Sequence, residues 1–498
     1  MTQDFSRAIR DDESIAELAA AALQRGEERE AIPLVGAAAE RLRNPLLWQW
    51  TALLQRSIDE HEAALQSFTE AGRLAPSDFT IAHGHAHTAM EAGLEAVPLF
   101  EHARSLSPRN GAVLIGLAAA EAAAGRGVIA VELLRGAVES VPTWIEGHQQ
   151  LAQLLSTLGR AEEISQSLER AIAKHPREPS LWETLLNLEV RRQRYERLPE
   201  IVAKARAAGV QGAELAVYEA IHAAESDGPI YPAALFGPAA HPFDDALDSW
   251  RVRHLLRVGE PAAALPILDR ALNGPRAAET WPYAATVWRM VGDPRCEWLT
   301  GQPGLIQVID LSAKLPPLDR LAEHLRTLHR GRGEYLDQSV RGGTQTDGPL
   351  FSRIDPLIRQ VRAAVVTAVD HYIRNLPPID SKHPLLGHRR NRLVRFSGSW
   401  SVRLRGGGKH SNHVHPEGWI SSALYIALPA RAADDREDAG WFTIGDPDEQ
   451  LGLSISASRT IEPAPGRLVL FPSYLWHGTI PFEKGERLTI AFDVRPPF

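Results

Sequence analysis

The chain has 498 residues, a length that calls for two to four domains rather than one core. Its composition, 44% hydrophobic and 23% charged, is that of a globular protein and excludes a disordered one. A formal net charge of −8 leaves no global basic field, so neither nucleic acid nor an anionic membrane is expected as a partner. The single cysteine, Cys296, excludes an intrachain disulfide and a thiolate metal cluster. The N-terminal stretch has no apolar signal-peptide core, and no apolar run is long enough for a membrane span. A cytoplasmic protein is the expectation.

Roughly residues 14–210 are periodic. Prolines recur at Pro76, Pro108, Pro142 and Pro176, which are 32, 34 and 34 residues apart. Five residues before each stands an alanine (Ala71, Ala103, Ala137, Ala171), and eight before each a large apolar residue (Phe68, Phe100, Leu134, Leu168). Twelve before come Ala64, Ala96, Ala130 and Ile164. Small residues let two helices approach closely, the large one fills the gap, and the proline ends the second helix. The pattern resembles the tetratricopeptide repeat (TPR) in four or more copies. That resemblance implies an all-α solenoid of helical hairpins over residues 1–225, with a surface for a peptide or protein. Residues 226–299 stay helical but lose the period. Glu260 to Leu272 and Trp281 to Met290 read as helices, expected to form degenerate repeats that cap the array.

At residue 300 the pattern changes. Gly301, Pro303 and Gly304 punctuate the chain, and the following LIQVIDL reads as a strand. Amphipathic helices are predicted over Leu318 to Leu328 and over Ile354 to Ile373. From Leu393 onward come the short strands LVRFS, SWSVRLR, ISSALYIAL, GWFTIG, RTIEP, RLVLFP and RLTIAFDV. Many short strands beside packing helices predict a sandwich or jelly-roll barrel over residues 300–498. The glycines of Gly342-Gly343 and of Gly406 to Gly408 read as loops over a cavity, and Trp400, Trp419, Trp441 and Trp476 as core. A basic run (Arg389, Arg390, Arg392, Arg395, Arg403, Arg405, Lys409) reads as a solvated face or as the rim of an anionic-substrate site.

Most of the nineteen histidines are scattered, but around residue 410 they cluster as KHSNHVHP. In an extended strand His413 and His415 would face one cavity, and two imidazoles so placed can chelate an ion. Pro416 would then end the ladder. Glu417 is the alternative partner of His415, in a less favourable position beyond that proline. The best third ligand is His477, which follows the strand RLVLF. Ten residues on, Arg487 opens a strand on which Arg487, Thr489 and Ala491 share one face and Leu488, Ile490 and Phe492 the other. A fixed guanidinium with a hydroxyl two residues on suits a carboxylate ligand; a structural ion pair with Glu486 or Asp493 is the alternative.

Residues 300–498 resemble the bacterial 2-oxoglutarate and Fe(II)-dependent oxygenases, in the branch with an H-x-H-P start. The matching segments are GGTQT (Gly342 to Thr346), NHVHPEGWISSALYI (Asn412 to Ile426), PGRLVLFPSYLWHG (Pro465 to Gly478) and ERLTIAFDV (Glu486 to Val494). The resemblance implies a double-stranded β-helix. It also implies chemistry that couples 2-oxoglutarate decarboxylation to substrate hydroxylation, with release of succinate and carbon dioxide. By position it makes His413, His415 and His477 the iron ligands, and Arg487 with Thr489 the site for the distal carboxylate. Tyr425, on the Ser421/Ala423/Tyr425/Ala427 face of its strand, reads either as within reach of the cosubstrate or as a half-buried core tyrosine. The commonest site of this kind has two histidines and one carboxylate, and here His415 stands in the acidic slot. Two rival readings stay open: a three-histidine zinc hydrolase, which has no need of Arg487, and an interaction protein whose barrel is silent. A superhelix in front of the barrel suggests a peptide or protein as the substrate of an oxygenase.

Overall fold

The computed structural model describes residues 12–497 apart from 332, 334, 335, 337, 338 and 431–435. Each proline of the period follows the second helix of a hairpin. Two residues later the next hairpin is entered through Asp78, Asn110, Trp144 and Glu178 in turn. Asp78 accepts from the amides of Thr80 and Ile81 and Asn110 from that of Val113, as Asn44 does from Leu46 and Leu47. Six hairpins result among the described residues. They pair Asp12–Arg25 with Glu28–Leu42, Pro45–Ser57 with His61–Leu74, and Phe79–Glu91 with Val97–Leu106. Next come Gly111–Ala123 with Gly127–Ser140, Ile145–Thr157 with Gln166–Lys174, and Pro179–Arg191 with Leu198–Ala207. The repeating residues are the buried ones, Phe68, Ala71, Phe100, Ala103, Leu134, Leu168 and Ala171 among them. Phe68 and Phe100 occupy the room left by Gly84 and Gly116 of the next hairpin, where a Cβ would come within 2.7 and 2.2 Å of the ring.

The turn inside each hairpin carries one residue with positive φ: Gly26, Asp59, Gly93, Gly125, Gly159 and Gln193. This row of turns forms an edge, and the C-terminal part of the chain is held against it. The Ile354 amide donates to the Ala92 carbonyl (3.1 Å) and the Gly333 amide to that of Thr157 (2.9 Å). Asp59 accepts from Ser352 and Arg362, each at 3.2 Å, and Gln193 accepts from the Gln450 amide at 2.6 Å. The left-handed conformation costs a non-glycine residue on the order of 1 kcal/mol. At both non-glycine positions of the row, the side chain responsible for that cost is the one that grips the C-terminal part. Nearer the N-terminus, fully buried Glu28 and Arg395 form a two-pronged ion pair.

Between residues 215 and 291 helices continue without the period, as expected. Their apolar side chains divide: Leu247 joins the core of the repeats, whereas Val252, Leu255, Leu256, Val287 and Trp288 join the core around the strands. Nine strands follow among the described residues: β1 Gln307–Asp310, β2 Val340–Gln345, β3 Phe396–His410, β4 Ile420–Ala427, β5 Phe442–Ile444, β6 Arg459–Ile461, β7 Arg467–Pro472, β8 His477–Thr479 and β9 Glu486–Val494. They form a six-stranded antiparallel sheet in the order β1-β7-β4-β9-β3-β2 and a three-stranded one in the order β6-β5-β8. The predicted helices appear as Leu318–Leu328 and Pro356–Arg374. The second buries Ile358, Val361, Val365, Val369 and Tyr372 in the core.

Three expectations change. Only Phe396 and Ser397 of LVRFS are strand, and they run on with SWSVRLR in the single strand β3; the two glycine clusters lie in strands rather than loops. A Cβ at Gly408 would sit 2.7 Å from the Gly342 carbonyl oxygen, so the glycines let β2 and β3 close on each other across a bulge. Much of the basic run is committed within the protein rather than presented as a rim: Arg395 pairs with Glu28, Arg403 with Glu486 and Lys409 with Glu449, and Arg390 donates to the carbonyls of Leu376 and Pro377. No helix among the described residues is long and apolar enough to cross a membrane.

Candidate metal centre

His413 and His415 do not stand in a regular strand, because Pro416 stops the ladder that their spacing suggested. His413 instead makes an isolated bridge to His477, the first residue of β8. Each backbone amide donates to the other's carbonyl at 3.0 Å. The His415 amide donates to the Ser473 carbonyl, also at 3.0 Å. These three bonds draw both segments together over the inner face of the sheets. One ligand nitrogen from each of His413, His415 and His477 lies within 4.8 Å of the others.

The hydrogen bonds decide which nitrogen that is. Nδ1 of His413 donates to the Ser411 carbonyl (2.8 Å) and Nδ1 of His477 to that of Leu475 (3.0 Å). Nδ1 of His415 meets Oδ2 of Asp493 at 2.8 Å. All three Nδ1 atoms are therefore committed, which leaves Nε2 of each as the lone-pair donor. An imidazole that donates through one nitrogen and coordinates through the other is the usual arrangement of a metal-bound histidine. Electrostatics agree. Burial holds His413 and His477 well below the ordinary histidine range, and the neighbouring histidines push the same way. His415 moves upward, because the Asp493 carboxylate outweighs the opposing effect of burial. His410, stacked on His413 with ring centroids 5.8 Å apart, is pushed down to about 3 by burial, then by Arg487 and His415. The Ser339 hydroxyl lies between these two rings, 3.0 Å from Nδ1 of His410 and 3.1 Å from Nε2 of His413.

The same cavity is lined by Arg487, Thr489 and Ala491, the predicted face of β9, and by Asp493, with Trp400, Gln345 and Phe442 around it. Arg487 is 3% exposed, and its Nε and Nη1 have no hydrogen-bond partner among the described residues. Its guanidinium lies 5.0 Å from the centre of the Tyr425 ring, and burial lowers its basicity. Glu486 bonds Arg326 and Arg403, and Asp493 is turned to His415, so neither of the expected structural partners is paired with Arg487. Tyr425 is fully buried with its hydroxyl unpartnered, as is Oε1 of Gln345. A buried cation with vacant donors suits a carboxylate ligand.

Glu417 is exposed and outside the ligand cluster. Trp400 packs against the small core of Val340, Val402, Leu404 and Phe482 and also lines the cavity, where it stacks on His415 at 5.7 Å; Trp419 is core as expected. Asp493 and Ser339 were not foreseen in these places. Asp493 has a sequence signal, the alternation 487, 489, 491, 493 along β9; Ser339 has none. Outside the cavity, His413 and Trp476 open onto a cleft of about 1100 Å³. One wall is the last hairpin turns of the repeats, including Gly159 and Arg191 to Tyr195, and the other is Arg341, Lys409 and Asp448 to Gln450.

A sequence profile for the family described as "Putative 2OG-Fe(II) oxygenase" matches residues 398–493, the span that contains all three histidines and Arg487. The expected resemblance of this part is thereby met. No curated protein matches the chain. Among solved structures, a Pseudomonas putida prolyl-4-hydroxylase is similar over 38% of this chain and 92% of its own, at 17% identity and a TM-score of 0.26. YrrB, a TPR protein with an unusual peptide-binding site, is similar over 35% of this chain and 91% of its own, at 21% identity and a TM-score of 0.24. MamA from Desulfovibrio magneticus RS-1 is similar over 32% and 92%, at 16% identity and a TM-score of 0.29.

Proposed function

We propose that this chain is an Fe(II)- and 2-oxoglutarate-dependent oxygenase that hydroxylates a side chain of a peptide or protein. The observation that carries the reading is the pairing of two features in one cavity. Three histidines have Nδ1 tied down and Nε2 available, and a buried arginine has two vacant donors. A hydrolytic zinc site would use the first feature and leave the second without purpose. The strand orders β7-β4-β9-β3 and β6-β5-β8, with His413 bridged to β8, support reading the two sheets as a double-stranded β-helix. The profile match over residues 398–493 supports it further.

In this reading His413, His415 and His477 hold Fe(II), and the ion supplies the activation of oxygen that oxidises cosubstrate and substrate together. The chain's own part is placement. Arg487 would hold the distal carboxylate of 2-oxoglutarate by charge-assisted N–H···O bonds, with the Thr489 hydroxyl as a further donor and the Tyr425 hydroxyl beside it. Trp400 and Phe442 wall the cavity and keep water from it. The cleft above His413 exceeds the usual 300–1,000 Å³ of a small-molecule pocket. Its two walls come from different parts of the chain, which favours a polypeptide laid between the repeats and the barrel.

We divide the chain into the repeats (1–225), a helical cap (226–299) whose second half packs on the sheets, and the oxygenase unit (300–498). A cytoplasmic setting fits a chain with one cysteine.

The test is anaerobic titration with Fe(II) and then 2-oxoglutarate. A weak visible charge-transfer band and, in air, succinate release are expected, and His477→Ala should abolish both by removing one of three protein ligands. Stoichiometric zinc in the purified protein with no band on iron addition would overturn the proposal.

A further inference from the structure

The ligand set raises a question of charge. A facial triad of two histidines and a carboxylate brings one negative charge to the metal. Three histidines bring none. Asp493 is the only carboxylate among the described residues lining the cavity. It is 7% exposed, and its Oδ2 lies 2.8 Å from Nδ1 of His415, the histidine that occupies the acidic slot. Its other oxygen, Oδ1, accepts from the Ser421 hydroxyl at 2.6 Å, and Ser473 stands 2.9 Å behind Ser421. Asp493 and Ser421 are direct cross-strand partners of β9 and β4. Both oxygens are thus committed to fixed donors.

We infer that Asp493 is the carboxylate of this iron site moved one shell outward, a positioning residue that orients His415 through Nδ1 and lends its negative charge to the metal through the imidazole. The inference rests on the proposed function, since it concerns how the same site holds iron. The charges close only when Asp493 is counted. The two positive charges of Fe(II) and the one of Arg487 are balanced by the two carboxylates of 2-oxoglutarate and the one of Asp493. Without Asp493 a net positive charge would be left in a buried cavity, which is costly. A hydrogen-bonded carboxylate also fixes the tautomer and ring plane of its histidine and makes Nε2 a stronger donor. Trp400, stacked on the other side of His415, helps to hold the ring in that plane.

The experiment compares wild-type protein with Asp493→Asn and Ser421→Ala. Asparagine keeps the size and can still accept from Nδ1–H, so it removes the charge and spares the shape. Anaerobic Co(II) and Fe(II) titrations should show metal affinity about tenfold to a hundredfold weaker in Asp493→Asn and a smaller loss in Ser421→Ala. The charge-transfer band of the Fe(II)–2-oxoglutarate complex should shift in Asp493→Asn, because a less electron-rich metal changes the transition energy. A purely structural residue would move thermal stability but not the band. Asp493→Asn that folds, binds metal within twofold of wild type and gives an unshifted band would overturn the inference. Failure of that variant to fold would overturn it too, since a neutral isostere then breaks the sheet rather than the site. Wild-type protein that binds no Fe(II) would instead overturn the oxygenase reading itself, so the two failures are distinct.

Discussion

Replacing Arg487 with methionine should make the metal-free protein more stable while destroying its affinity for 2-oxoglutarate. The guanidinium is 3% exposed with two vacant donors, and the Tyr425 ring is the compensation in view. Taking an ion out of water costs several kcal/mol even after relaxation. A cation–π contact in a desolvated site returns about 2 kcal/mol, so a deficit remains. A long apolar side chain of similar reach removes it, and the expected gain is about 1–2 kcal/mol, a Tm rise of a few degrees for a unit of this size. The cosubstrate pays the opposite way. Breaking a buried charge-assisted pair costs about 2–5 kcal/mol, which is a loss of 2-oxoglutarate affinity from about thirtyfold to several thousandfold. The first effect is read in thermal unfolding of the metal-free protein, the second in an anaerobic, Fe(II)-loaded series with and without cosubstrate. Wild type should gain about 2.7 kcal/mol at a cosubstrate concentration of 100 Kd, and Arg487→Met should gain almost nothing. A metal-free variant less stable than wild type would make Arg487 a structural residue. An undiminished shift with 2-oxoglutarate would show that the carboxylate binds elsewhere.

The junction between the repeats and the C-terminal part should respond to Glu28→Ala. Removing the buried partner of Arg395 is expected to cost about 3 kcal/mol in a urea titration, and a loss below about 1 kcal/mol would mean that this ion pair does not couple the two parts. Stability of the metal-free protein should also fall in acid. Burial is the first cause that holds His87 and His329 down to about 4, so the unfolded chain takes up protons there before the folded one does. Their contribution is complete above pH 6.5 and is lost as pH falls toward 4, by about 3 kcal/mol for each group at the acid limit. Urea midpoints that stay level from pH 7 to pH 4.5, or that do not flatten in His329→Asn, would refute this.

Much of this protein is legible in the chain by itself, where the reason for a residue is local. The spacing of Pro76, Pro108, Pro142 and Pro176 determines the hairpins, because a proline and a cap two residues later end one helix and start the next. The parity of Arg487, Thr489 and Ala491 determines one face of β9, because a strand alternates whatever surrounds it. His413, His415 and His477 could be picked out by residue type and motif. The tertiary structure decided what those residues meet. That Arg487 lacks a counter-charge, that Asp493 turns to His415 and that Trp400 lines the cavity as well as packing on the core all depend on β3, β4 and β9 lying side by side. That the hairpin turns grip the C-terminal part at Asp59 and Gln193 depends on contacts across hundreds of residues. Periodicity records how a segment buries its own face; it carries no information about which distant segment supplies the partner, and charge balance in a cavity is a property of the assembled walls alone.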